Sequence, residues 1–153
     1  MLNQQTMSIL HSLKLFGMAK GLEERSANTQ HAELSHDDFV GLLVQDEKMY
    51  RDNLRLQRLL RKAKLRQEAS LEDIDYRVSR GLSQQVILEL ANPQWITAHH
   101  NVLISGPTGV GKSFIACALG NAAARSGYTV LYVRAPRLFE TLQQSHGDGS
   151  HLK

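Results

Sequence analysis

Eight consecutive residues, Gly106-Pro107-Thr108-Gly109-Val110-Gly111-Lys112-Ser113, have the types and spacing that could do chemistry. They fit the pattern Gly-x-x-x-x-Gly-Lys-Ser/Thr. Glycines let the backbone turn tightly, so that successive N–H groups point inward at phosphate oxygens. A helix starting beside Gly111 adds the positive end of its dipole. In this pattern the lysine reaches the β and γ phosphates and the hydroxyl ligates magnesium. The predicted nucleotide-binding set is therefore Gly106, Pro107, Thr108, Gly109, Val110, Gly111, Lys112, Ser113 and Phe114. Its ligand is ATP with Mg2+, and Ser113 meets the metal through the nucleotide. A glycine-rich turn that binds nothing is the competing reading, and the strand before and helix after the loop argue against it.

Binding and cleavage are separate questions. Hydrolysis needs an acidic residue at the end of a neighbouring strand to hold magnesium and help position water. After Ser113 the only acids are Glu140, inside a predicted helix, and Asp148, in a glycine-flanked loop. The sequence thus predicts ATP binding, assigns no catalytic residue, and gives no sign that this chain hydrolyses ATP alone.

The elements around the loop follow from pattern. Val102–Ser105 is a short apolar, β-branched run and Thr129–Val133 a second one, both predicted as strands. Phe114–Arg125 carries Ala and Leu at helical spacing, and Ser126-Gly127 stops it. Pro136 sits where a further helix begins, continuing through Arg137–Gln144, and Ser145–Ser150 is a predicted loop. Strand–loop–helix–strand–helix predicts the opening of a parallel α/β sheet.

The first two-thirds of the chain are predicted helical. Met7–Leu22 has apolar residues at spacings compatible with one amphipathic helix, and Ser26–Ser35 is a loop. Ser35 with Asp38 signals a helix start, and Phe39 to about Gln67 is one long helix. Leu42, Met49, Leu56, Leu60 and Ala63 fall near one face of it. Lys48, Arg51, Arg55, Arg58 and Lys62 recur at three or four on a neighbouring face and form a basic stripe. Such a stripe can track a DNA backbone or simply keep a helix face solvated. Ser70–Arg80 is a connector, and Ser83 caps a short helix, Gln84–Leu90, that ends near Pro93. Tyr76 and Trp95 either border an adenine pocket or are buried at a domain junction. His99 and His100 are predicted as polar loop residues and Cys117 as a small core residue. The predicted domains are a helical module (1–69), a connector with a short helix (70–100) and an incomplete P-loop domain (101–153).

The net charge of +3 favours a polyanion only mildly. A single cysteine leaves no partner for an intramolecular disulfide, which suits a reducing cytoplasm. No apolar run reaches the roughly 18 residues that a membrane helix needs. The expectation is a soluble, cytoplasmic protein with no membrane partner.

With these residues in view, the chain resembles the IstB-like helper ATPases of bacterial insertion sequences, which are related to DnaC helicase loaders within the AAA+ class. The resemblance rests on Leu13–Ala19, Leu71–Tyr76, Asn101–Ser113, Tyr132–Glu140 and His146–Ser150. It implies a helical module followed by an AAA+ parallel-sheet domain. It also implies an ATP-dependent, homo-oligomeric, DNA-binding protein that assists a separate transposase, with Lys112 and Ser113 in the nucleotide and magnesium roles. Walker B, sensor and arginine-finger residues would lie beyond Lys153, so the expectation is a fragment or a truncated product. In that sheet the first two strands are not neighbours, which predicts exposed sheet edges and a marginal ATP-binding portion. Two other readings stand beside it: a DnaC-like replication adaptor that binds a protein partner and single-stranded DNA, and a nonfunctional remnant.

Overall fold

A computed structural model describes residues 2–27, 35–77, 81–147 and 149. The helices are α1 (Leu2–Ser12), α2 (Phe16–Ser26), α3 (His36–Ala63), α4 (Gln84–Ala91), α5 (Gln94–Thr97), α6 (Lys112–Arg125) and α7 (Ala135–Gly147), with a 3-10 turn at Leu71–Asp73. Packing divides the chain into Met1–Gln57 and Arg58–Lys153.

Local sequence explains most helix ends. The single helix predicted over Met7–Leu22 is two helices, because Lys14 adopts a left-handed conformation (φ 59°). Leu15 N–H then reaches back to Leu10 C=O at 2.9 Å, the six-to-one bond of a Schellman cap. Gly127 (φ 89°) ends α6 the same way, with Tyr128 N–H on Ala123 C=O at 3.0 Å. His99 (φ 56°) does this for α5, a short helix that the pattern did not predict. Ser35 Oγ accepts from Asp38 N–H at 3.1 Å, the predicted N-cap of α3. That helix begins before Phe39 and stops at Ala63, with Lys64 turning left-handed (φ 49°). Ser83 caps α4 as predicted, through Val86 N–H. At the far end Ser145, His146 and Gly147 belong to α7 and not to a loop; Asp148 and Ser150 lie outside the described residues, as do 28–34 and 78–80.

In the first unit α2 lies close against α3. A Cβ on Gly17 would stand 2.6 Å from Asp46 C=O and from Glu47 Cα, so only glycine permits the approach. Ala19 and Leu43 are buried there, together with the Glu47 carboxylate. The face predicted from Leu42, Met49 and Leu56 is rotated from the one used: Met49 is 56% exposed.

In the second unit α6 packs on the 3-10 turn and on α4. Ala69, Cys117 and Ala118 form its buried centre, with Leu65, Leu71, Phe114 and Tyr132 against it. Cys117 is buried, as predicted for a small core residue. Asn121 Nδ2 donates to Ala69 C=O at 2.9 Å, and Arg125 to Glu72 Oε1 at 3.2 Å, fastening the turn along α6.

The predicted parallel sheet is absent: no strand occurs among the described residues. Val102–Ser105 and Thr129–Val133 nonetheless alternate in burial as strands would. Val102, Ile104, Val130 and Tyr132 are partly covered, while Leu103, Leu131 and Val133 are exposed. The apolar run at Val102–Ser105 predicts a buried strand, and the 93% exposure of Leu103 departs from that. A strand also needs a neighbour to complete its hydrogen-bond ladder, and among the described residues neither segment has one. With no sheet there are no sheet edges of the predicted kind. The bond that holds the second segment is Tyr132 N–H to Ala63 C=O at 2.8 Å, at the end of α3.

Candidate nucleotide site

Between Ser105 and α6 the chain makes a tight loop in which Gly106, Gly109 and Gly111 all have positive φ (147°, 86° and 97°). Space is not the reason for Gly106 and Gly109. A Cβ on Gly109 would meet nothing within 4 Å, and one on Gly106 only Val110 Cγ2 at 3.6 Å. The constraint at Gly109 and Gly111 is the left-handed backbone, which costs an L-residue roughly 1–2 kcal/mol. Gly111 is the N-cap of α6, and its C=O accepts from Ile115 N–H at 3.0 Å. Helix geometry leaves the N–H groups of Lys112, Ser113 and Phe114 without intrahelical acceptors, at the positive end of a 14-residue helix. Such a helix end is chemically suited to an anion.

The predicted set is contiguous and divides by role. Gly106, Pro107, Thr108 and Gly109 are exposed, and Val110, Gly111, Lys112 and Ser113 are half-buried. Lys112 Nζ donates to Gly106 C=O at 2.9 Å and to Pro107 C=O at 2.5 Å, so the ammonium sits inside the loop. The Phe114 side chain belongs to the core and can serve a phosphate only through its backbone N–H.

One feature of the site was not predicted. A cleft of about 140 Å³ opens beside Gly111, walled by Phe114, Ile115, Ile74 and Leu82, with Asp73 and Asp75 on its polar side. Tyr76 and Trp95 do not line it. The Asp75 carboxylate is engaged by Arg77, and Asp73 Oδ2 accepts from Ser70 Oγ at 2.8 Å. The neighbouring Glu72 carboxyl is held below its usual range by its own backbone N–H and by Ser70, with Arg125 adding to this. The connector pattern lacked a period, so only the fold could bring these residues to the loop.

The basic residues are placed by α3. Lys48, Arg51, Arg55, Arg58 and Lys62 are all exposed. At 100° per residue they fall within a sector of about 80°. Val40 and Val44, each 55% exposed, fall in the same sector one turn and two turns earlier. Arg51 is the exception in chemistry, because its Nε donates to Glu47 Oε1 at 2.6 Å. Among the described residues no helix is long and apolar enough to cross a membrane.

Residues 8–153 match the family model described as IstB-like ATP binding protein. The chain is 50% identical over 151 residues to a Pseudomonas fluorescens protein named for ATP binding in insertion sequence IS1162, covering 98% of this chain and 65% of that protein. A Sinorhizobium fredii protein, also named for ATP binding in an insertion sequence, is 44% identical over 153 residues (100% and 62%). A similarly named Mycobacterium tuberculosis protein is 37% identical over 141 residues (92% and 56%). The chain thus spans about three-fifths of the length of these curated relatives.

Proposed function

This chain belongs to the family of IstB-like ATP-binding proteins, and from that premise we propose that loop 106–113 binds ATP in the service of insertion-sequence transposition. The observation that carries the reading is the succession of positive-φ glycines running straight into α6. It supplies inward N–H groups and a helix N-terminus at one point, which suits phosphate oxygens. Lys112 is already at that point, and on binding it exchanges the carbonyls of Gly106 and Pro107 for phosphate. Ser113, first in line after it, would hold Mg2+ together with the nucleotide. The base enters the cleft beside Gly111, where Phe114, Ile115 and Ile74 offer apolar walls and Asp73 and Asp75 offer acceptors for an exocyclic amino group. Magnesium, when bound with ATP, neutralises phosphate charge; the chain's own part is to bind and orient.

The protein acts in the cytoplasm beside a separate transposase, and DNA lies along the α3 stripe of Lys48, Arg51, Arg55, Arg58 and Lys62. The reading includes a homo-oligomer of the whole protein. Residues 1–69 serve as the helical module, 70–100 as the connector and 101–153 as the nucleotide-binding portion. The deciding experiment is equilibrium titration with a fluorescent ATP analogue, with and without Mg2+. Lys112→Ala removes a charged hydrogen-bond donor and is expected to weaken binding about 10- to 100-fold. Equal affinity of Lys112→Ala and the parent chain would rule the reading out.

A further inference from the structure

A second cavity lies at the elbow where α4 meets α5 around Pro93. Its volume is about 390 Å³, within the ligand-pocket range of roughly 300–1,000 Å³. Val86, Leu90 and Ala98 supply apolar wall, Trp95 an aromatic one, and Glu89 and His100 polar groups; no lysine or arginine lines it. The Trp95 ring is held by its Nε1–H, which donates to Leu90 C=O at 2.9 Å. Glu89 is exposed and engaged only at Oε1, by Gln85 Nε2 at 3.2 Å. Val86, which lines the cavity, is 49% exposed, so the apolar side of the wall stays open to solvent.

We infer that this elbow is a docking pocket for an arginine side chain presented between apolar residues of a partner protein. Charge complementarity selects the occupant. In a chain of net charge +3, the formal charge lining this cavity is a carboxylate, which disfavours phosphate and nucleic acid and favours a cation. The ring held in place beside that carboxylate suits a planar guanidinium, which stacks on aromatic faces while its fork meets the acid. Val86, Leu90 and Ala98 then cover apolar neighbours of the arginine and exclude water from the pair. This site is separate from the phosphate loop and does not depend on nucleotide binding.

Trp95 is the chain's only tryptophan, so its emission reports on this pocket alone. The full chain is titrated with acetyl-Leu-Arg-Leu-amide and with the same peptide carrying citrulline, which keeps the shape and loses the charge. The expected result is a saturable emission change with the arginine peptide, at a Kd of about 1 mM or tighter. The citrulline peptide is expected to bind about tenfold more weakly, and Glu89→Gln to reduce the arginine peptide to that level, with an unchanged circular dichroism spectrum. Equal binding of both peptides, absence of saturation, or a larger response to a single-stranded oligonucleotide would overturn the inference. So would inert peptides together with loss of self-association in Glu89→Gln, which would assign the pocket to a second copy of this chain.

Discussion

Glu47 Oε2 accepts the backbone N–H of Gly17 at 2.7 Å, so that a carboxylate of α3 caps the first turn of α2 across 30 residues of sequence. The same oxygen takes Met18 N–H at 3.1 Å, while Oε1 takes Arg51 Nε. Burial alone would raise this carboxyl. The hydrogen bond from Arg51 and those from Met18 and Gly17 outweigh it and hold Glu47 below the usual carboxylate range. A helix end that would otherwise bury orphan donors is thereby satisfied.

Glu47→Gln is expected to destabilise the chain by about 1–2 kcal/mol, the scale of a lost cap. The pH dependence follows from the sign of the shift. A depressed carboxyl contributes stability that is present above its unfolded pKa, about 4.3, and is lost as pH falls through the lower folded value. Urea midpoints measured from pH 7 down to pH 3 check this. The parent chain should lose stability more steeply below about pH 4.5 than Glu47→Gln does. Amide exchange at Gly17 and Met18 should accelerate in the variant.

Two glycines of the helices should answer oppositely to alanine. At Gly17 an added methyl meets backbone at 2.6 Å, which cannot yield without moving α2 from α3. Gly17→Ala is expected to cost about 1–3 kcal/mol by overpacking. At Gly41 nothing lies within 4 Å of the added carbon. Gly41→Ala is expected to stabilise by roughly 0.5–1 kcal/mol through helix propensity. Thermal unfolding of the two variants side by side is the check.

Within the loop, Gly111→Ala should weaken nucleotide binding while leaving the helical circular dichroism signal in place. The φ of 97° is strained for any L side chain, and relieving it rotates the N–H groups at the start of α6. Ser113→Ala should retain nucleotide but lose most of the gain that Mg2+ gives. Titrations of a fluorescent ATP analogue at zero and saturating Mg2+ separate the two effects.

For the α3 stripe, the measurement is the salt dependence of affinity for duplex DNA. Each basic residue that neutralises a phosphate contributes about 0.9 to the slope of log affinity against log salt. Arg55→Glu with Arg58→Glu should lower that slope by about 2. Arg51→Glu should also unfasten Glu47, and so should change stability as well as affinity. An unchanged slope in the Arg55/Arg58 variant would remove DNA from this face.

Much of the local structure was legible in the chain because its causes are local. Ser35 with Asp38, Ser83 and Ser126-Gly127 marked helix ends that a few neighbouring atoms enforce. Left-handed lysines are harder to read: Lys14 splits a continuous amphipathic pattern although lysine is an ordinary helix residue. Glu47 was missed because an acid in a periodic helix pattern counts as solvent face. Gly17 and Gly21, four apart on α2, were the available signal, since small residues at that spacing let another helix approach.

The sequence by itself determined the geometry of loop 106–113. Its glycines turn the backbone and lead directly into the helix that begins at Lys112, so consecutive residues contain the whole turn. The tertiary structure decided what surrounds it. Asp73, Asp75 and Leu82 come to Gly111 from a connector with no period of its own, and a carboxylate on α3 became a cap for α2. It also decided against the sheet and set which of Val130, Leu131, Tyr132 and Val133 turn inward, because a strand exists only where another backbone accepts its hydrogen bonds. An apolar run can mark a segment for burial, and only packing supplies its face and its partner.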